Sequence, residues 1–358
     1  MSVQPDVAAA TSPHDEEAIL VVDVMNGTHE GREALEAAAL ASFELPAQMV
    51  VVGDEPALTH ALQSIAHDAE RLRVLHVPAA ARDHEARVEA SIDAGVAYLR
   101  HHPNALFVTG GHHADVLRAA RRHLRLLPNV QRPALAAVYP TVSGLQERSF
   151  PFALLLDIGA TPSATPEDIV TFAALGAAYL RQIGGVDEPR LALLSNSSSL
   201  ERSSPAIRAA RAALSELPHP PWDDLGLLRP DRALLGEADV LVTEGHAGEL
   251  LIRTLEGLAV VGERILSGAD RHLHWRVAVS VLGRGIKILQ TFADAENYGG
   301  APLLGYERLL ILTQPAAMRR AYFNSLRLAA KWHRVQGHEH LRAAVAQLPS
   351  APPSPSKP

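Results

Sequence analysis

The chain has 358 residues, 47% of them apolar, a net charge of −7 and no cysteine. That apolar share suffices for a packed core, and the missing cysteine excludes disulfides, thiolate nucleophiles and cysteine-held zinc. The acidic balance argues against a nucleic-acid binder. No run approaches the ~20 uncharged apolar residues of a spanning helix, and the start of the chain lacks the basic and apolar regions of a secretory leader, so a cytoplasmic protein is expected.

In chain order, residues 1–17 are polar with scattered proline and are expected to form a disordered tail. Apolar, strand-like runs then alternate with helical patterns. Strands are expected at 18–24, 48–53, 72–77, 105–109, 134–139, 153–157, 190–195, 240–244 and 308–312, with helices such as 32–42, 56–68, 85–101 and 114–127 between them. Strands separated by helices imply βαβ units and a doubly wound, mostly parallel sheet in an αβα layering. Residues 18–345 read as one such domain, and 346–358, which include the Pro/Ser-rich PSAPPSPSKP, as a second tail.

The centre of the chain, FPFALLLDIGATPSATPEDIVTFAALG at 150–176, holds the clearest unit. Its apolar run suits a strand buried on both faces. Asp157 to Thr161 then turn the chain, and Thr165, Pro166, Glu167 and Asp168 read as N-cap and acidic first turn of a helix.

Similar glycine-bearing corners occur at 23–28, 109–113 and 243–248. If these corners meet at one rim of the sheet, backbone amides and helix N-termini would hold a phosphate without a lysine loop. Neither a GxxxxGK[ST] loop nor a clean GxGxxG is present, which argues against a nucleoside triphosphatase or a conventional NAD domain.

Residues 258–297 form a long, nearly turn-free stretch, read as two helices with a break near Ser267 and Gly268, protruding as an arm. Its apolar side chains, Leu273, Trp275 and Val277 among them, need a cover. A dimer partner or the domain itself would serve, as would a bilayer or an enzyme partner.

Four blocks, YGGAPLLG at 298–305, ADVLVTEGHAGELLIRTLEG at 238–257, LPNVQRPALA at 127–136 and DIGATPSATPEDIVTFAALG at 157–176, together resemble the phosphate acyltransferase family of bacterial phospholipid synthesis. The resemblance spans about 19–331 and implies transfer of a fatty acyl group from acyl carrier protein to inorganic phosphate. It further implies a fold related to phosphotransacetylases and isopropylmalate-type dehydrogenases, a homodimer, peripheral membrane association, and no metal or organic cofactor. Where the family's first loop reads DAMGGD, this chain has Asp23, Val24, Met25, Asn26, Gly27 and Thr28. Its SAGNTGA becomes Thr109, Gly110, Gly111, His112, His113, Ala114 and Asp115. In the central loop Thr161 replaces Asn, Ser163 Asp and Thr165 Lys; after the next strand Asn-Ile-Gly-Glu-Glu becomes Ser195 to Ser199, and a later Asp-Gly becomes Glu244 and Gly245. Glycines and apolar runs are kept while cleft polar groups are exchanged, as in a scaffold whose chemistry has been altered.

The candidate catalytic groups are His112, Asp157 and Asp23. Asn26, Gly27, Gly110, Gly111, Gly159, Ala160, Thr161, Asn196, Glu244 and Gly245 are candidates for binding phosphate and acyl donor, with Gly248 a further amide. Of the adjacent His112 and His113, at most one should face the cleft, since neighbouring side chains at a helix start diverge. His29, His246 and Asp157 could add metal ligands, but nothing in their spacing demands a metal. Arg118, Arg121, Arg122 and Arg125 form a basic stripe at i, i+3, i+4 and i+7, where an acidic carrier protein would dock by electrostatic steering. The alternatives to acyl transfer are a repurposed paralogue that binds an acyl donor or partner enzyme, and an isopropylmalate-type dehydrogenase on the related fold, against which the lack of a dinucleotide fingerprint argues.

Overall fold

The structure, a computed structural model, describes residues 17–26, 31–78, 84–142, 152–269 and 299–349. Gly27, His29, the arm beyond Ala269 and, of the tails expected at 1–17 and 346–358, residues 1–16 and 350–358 lie outside the described residues. Among the described residues eleven strands form one sheet: β1 Ala18–Asp23, β2 Ala47–Gly53, β3 Leu72–His76, β4 Ala105–Thr109, β5 Ala134–Pro140, β6 Phe152–Leu156, β7 Arg190–Leu194, β8 Asp223–Leu228, β9 Val240–Val242, β10 Ala301–Leu304 and β11 Leu310–Leu312. Their order is β3-β2-β1-β4-β11-β10-β5-β6-β9-β7-β8. All nine expected strands are present; β8 and β10 are additional.

The pairing is parallel from β3 through β11 and again from β6 through β8, so the α/β class follows the βαβ alternation. At the centre, β10 is antiparallel to both β11 and β5, and β5 is antiparallel to β6. The two halves therefore run in opposite senses. The corners after β1 and β4 leave one edge of the sheet and those after β6 and β9 the other, so they do not share the single rim expected from the sequence. The short β10 limits their separation: four residues span only about 13 Å.

Helices cover both faces: α1 Arg32–Glu44, α2 Glu55–Leu62, α3 His84–His101, α4 His113–His123, α5 Pro166–Tyr179, α6 Pro205–Ser215, α7 Pro230–Ala233, α8 Gly245–Ala269, α9 Arg319–Arg334 and α10 Gly337–Ala346. Strand β6 is buried on both sides, with Leu154 and Leu156 in the core beneath α1, α5 and α9 and Ala153 and Leu155 in a smaller cluster on the other face. Helix α5 starts as its sequence dictates. Thr165 Oγ1 accepts from the Asp168 N–H at 3.2 Å, Asp168 accepts from the Thr165 N–H at 2.9 Å, and Pro166 occupies the first turn.

One expected helix end and one expected helix start move. Helix α4 stops at His123 because Leu124 turns to extended backbone, after which Leu126 bridges Tyr306 and the Leu127 N–H donates to the Gly305 carbonyl at 2.8 Å. Helix α8 begins at Gly245, thirteen residues before 258, and is helical through Ser267 and Gly268 to Ala269; the second helix expected after the break lies outside the described residues. A glycine within a long helix costs only about 1 kcal/mol, so Gly268 is tolerated there. No helix among the described residues is long and apolar enough to cross a membrane.

Candidate functional site

At the end of β1 the Asp23 carboxylate is fully buried. It accepts from the Met25 N–H at 3.0 Å, the Ser91 hydroxyl at 2.9 Å, the Thr109 hydroxyl at 2.7 Å and the Asn26 side-chain amide. These donors come from the first loop, from α3 and from the end of β4, so Asp23 ties three segments together. Burial pushes its carboxyl above the usual range, against the four hydrogen bonds. The β4 corner is fixed to the same group, because the Gly111 N–H donates to Thr109 Oγ1 at 2.9 Å. Gly110 has no room for a side chain: a Cβ there would lie 2.1 Å from the Tyr322 hydroxyl of α9. Burial pushes the Tyr322 phenol up to about 12, the Thr313 hydroxyl opposing and the Asp23 charge adding.

Asp157, at the end of β6, is also fully buried. All its partners are backbone amides: Leu135 at 2.8 Å, Gly159 at 3.2 Å, Ala160 at 3.0 Å, and Thr161 on the second oxygen. Burial pushes the carboxyl up to about 6 against those four donors. The Gly159, Ala160 and Thr161 amides proposed for phosphate are thus directed into the turn's own carboxylate, which is the ordinary turn-stabilising use of aspartate. Thr161 Oγ1 in turn donates to the Pro133 carbonyl at 2.9 Å. Helix α8 is hooked to this turn through the Gly245 N–H, which donates to the Thr161 carbonyl at 3.0 Å. The approach is close enough that a Cβ on Gly248 would lie 1.9 Å from the Asp157 carbonyl oxygen.

Helix α8 joins the two corners. Its first turns carry Glu249, whose carboxylate lies over Gly159, 3.3 Å from where a Cβ would stand. Glu249 and Arg253 also act electrostatically on His113 in the first turn of α4. Further along, Glu256 accepts from Gln314 Nε2 at 2.8 Å, tying α8 to the segment after β11. His113 is half-buried, and burial first, then His112, holds its imidazole below the usual range, with Glu249 opposing. His112 does a different job. It is exposed and caps α4, its Nδ1 accepting from the Ala114 N–H at 3.3 Å. The histidine that feels the charges of Glu249 and Arg253 on α8 is His113, while His112, the candidate named from the sequence, caps α4.

The remaining expected residues divide. Glu244 is half-buried and accepts from the Ser204 hydroxyl at 3.1 Å, while Asn196 is exposed beside Ser195, away from the two corners' hydrogen bonds. His246 is exposed, and both Asp157 oxygens are occupied by amides, so those two do not converge as metal ligands. Two members of the arginine stripe are already paired, Arg118 with Glu89 at 2.7 Å and Arg122 with Asp93 at 2.9 Å, both acids from α3. Glu249 was missed because one acid in a helical stretch carries no local signal; only the turn of β6 brings Gly159 beneath it.

The α/β fold of the chain is similar to solved structures of a phosphotransacylase and a phosphotransacetylase. A branched-chain phosphotransacylase from Enterococcus faecalis V583 matches with a TM-score of 0.55, 16% identity, and coverage of 88% of this chain and 99% of that one. A phosphotransacetylase from Streptococcus pyogenes matches with a TM-score of 0.55, 17% identity, and coverage of 90% and 94%. These likenesses establish the fold. The chain belongs to the fatty acid synthesis protein family, which matches residues 18–339. Among its relatives, a phosphate acyltransferase of Thermobifida fusca is 31% identical over 319 residues, covering 87% of this chain and 86% of its own. A phosphate acyltransferase of Myxococcus xanthus is 30% identical over 321 residues, covering 86% and 88%.

Proposed function

We propose that this protein is a phosphate acyltransferase, moving a fatty acyl group from the thioester of acyl carrier protein to inorganic phosphate. The observation that carries this reading is similarity along nearly the whole folded chain to relatives bearing that name. A phosphate oxygen attacks the thioester carbonyl carbon, the C–O bond forms and the C–S bond breaks, leaving acyl phosphate and a thiol. His113, held neutral, takes the proton from the attacking phosphate and passes it to the departing thiolate. Glu249 stabilises the transient imidazolium, and Arg253 offers positive charge to the phosphate. Asp23 and Asp157 act as positioning residues that fix the corners on which these groups stand.

Incubation with acyl carrier protein thioester and labelled phosphate should yield labelled acyl phosphate, and His113→Gln should lower kcat about 100-fold while leaving the fold intact by circular dichroism. Unchanged turnover in that variant would remove His113 from the mechanism.

A second reading is a repurposed paralogue that binds an acyl donor without turning it over. It is favoured by the occupied amides of residues 159–161 and the absence of a lysine from that loop. Saturable binding of the carrier protein with no acyl phosphate formed would select it. Association of two copies, or with a membrane surface, through the arm fits the exposed Leu250, Leu258, Val260 and Val261 of α8. Sedimentation with and without anionic vesicles separates the two.

A further inference from the structure

Around the β10–β11 turn, Arg125, the last member of the arginine stripe and already past the end of α4, meets cations from other segments. The Glu307 N–H donates to the Arg125 carbonyl at 2.9 Å, which places the end of α4 against this turn. Arg308 follows, half-buried; its Nη1 donates to the Glu307 carbonyl at 2.8 Å, and its buried Nε has no hydrogen-bond partner among the described residues. Beyond it stand Arg342, exposed on α10, and His338. Trp332 Nε1 donates to His338 Nδ1 at 3.0 Å, so the imidazole is neutral, with its proton on Nε2.

The cations here act on one another, with one acid among them. Burial, then the Arg342 charge, lowers Arg308, with Glu307 alone opposing, and burial followed by Arg308, His333 and Arg342 pulls His338 down to about 3. No ion pair among the described residues joins Arg125, Arg308 or Arg342 to a carboxylate, whereas Arg118 and Arg122 of the stripe are matched by Glu89 and Asp93. On a chain of net charge −7, three arginines against Glu307 leave this edge a local excess of positive charge.

We propose that Arg125, Arg308 and Arg342 form the docking surface for a small acidic protein, the carrier that delivers the thioester. This rests on the acyl-transfer reading above and moves the contact away from Arg118 and Arg122. The surface also adjoins the reaction corner. The segment 127–133 begins with the Leu127 N–H bonded to Gly305 at 2.8 Å and ends with the Pro133 carbonyl, which accepts from Thr161 at 2.9 Å. Within it, Arg132 Nη1 donates to the Ser163 carbonyl at 2.9 Å. A partner seated on the edge is one ordered segment from the Asp157 turn.

The test uses the full chain and measures binding and turnover separately. Both Arg125 and Arg342 are exposed, so Arg125→Glu with Arg342→Glu should preserve the fold. Affinity for holo acyl carrier protein at low salt is expected to fall about tenfold, with a flatter salt dependence, while turnover of a small soluble thioester is unchanged. Removing the two α4 pairs whole, Arg118→Gln with Glu89→Gln and Arg122→Gln with Asp93→Asn, should change carrier affinity less than about twofold, because each pair is net neutral and exposed. Undiminished carrier binding by the first variant, or an equal loss from the second, overturns the proposal. If the wild type binds the carrier through this edge yet forms no acyl phosphate, the surface stands and the catalytic reading falls. If it turns over small thioesters but binds no carrier, the reverse holds.

Discussion

Asp23 and Asp157 occupy equivalent places in the two half-sheets, each a fully buried carboxylate at a strand's end, yet they are held by different kinds of partner. Asp23 is gripped by two hydroxyls, one side-chain amide and one backbone N–H. Asp157 is gripped by four backbone N–H groups. Hydroxyls rotate and an asparagine amide can turn over, so they can change from donor to acceptor. A peptide N–H cannot. One corner is built from exchangeable polarity and the other from fixed polarity, which predicts unequal tolerance to the same substitution.

The largest expected effect is at the fixed corner. In Asp157→Asn the new NH2 group faces N–H donors that cannot reverse, and buried amides lose a charged acceptor. The variant should be destabilised by about 4 kcal/mol, read as a fall in the denaturant midpoint at constant slope. Because the Gly245 N–H bonds to the Thr161 carbonyl, the loss should also loosen the start of α8, visible as faster amide exchange there. A penalty no larger than that of Asp23→Asn would erase the distinction between the corners.

A steric test comes next. Gly110→Ala places a methyl 2.1 Å from the Tyr322 hydroxyl and should cost about 2 kcal/mol. If the clash is with that oxygen alone, Tyr322→Phe in the same chain recovers about 1 kcal/mol, measured as the coupling in a double-mutant cycle. Zero coupling would mean that the backbone of the corner, rather than the phenol, sets the requirement for glycine.

These contacts show where sequence reading reaches its limit. The alternation of apolar runs with helical periods, and the Thr165-Pro166-Asp168 start of α5, are local and could be read directly. Strand β8 escaped because Gly226 at φ 76° and a register shift interrupt it, and β10 because four residues within a glycine-rich block look like a loop. The opposed sense of the two half-sheets depends on how β10 and β5 pair, which no local pattern encodes. The same is true of the site. Adjacent histidines are equivalent in sequence until the cap on α4 turns His112 outward, and the stripe of arginines looked unpaired because Glu89 and Asp93 lie 29 residues earlier.

The smallest effect belongs to the exchangeable corner, and pH sharpens it. In Asp23→Asn the amide oxygen still accepts from Met25 and from a hydroxyl, Asn26 can turn its own oxygen toward the new NH2, and Ser91 keeps its bond to the Val88 carbonyl at 3.0 Å. The expected loss is about 1 kcal/mol. Burial raises the Asp23 pKa in the folded state, so folding favours the protonated acid. Its contribution is fully present below the unfolded value near 3.9 and declines as pH rises through the folded value. The wild type's advantage over Asp23→Asn should therefore be larger near pH 4 than near pH 8, measured from urea midpoints of both proteins in matched buffers. A gap that widens with rising pH would mean that the four donors outweigh burial, making Asp23 a fixed ion like a salt-bridged carboxylate and removing the exchangeable character on which the contrast with Asp157 depends.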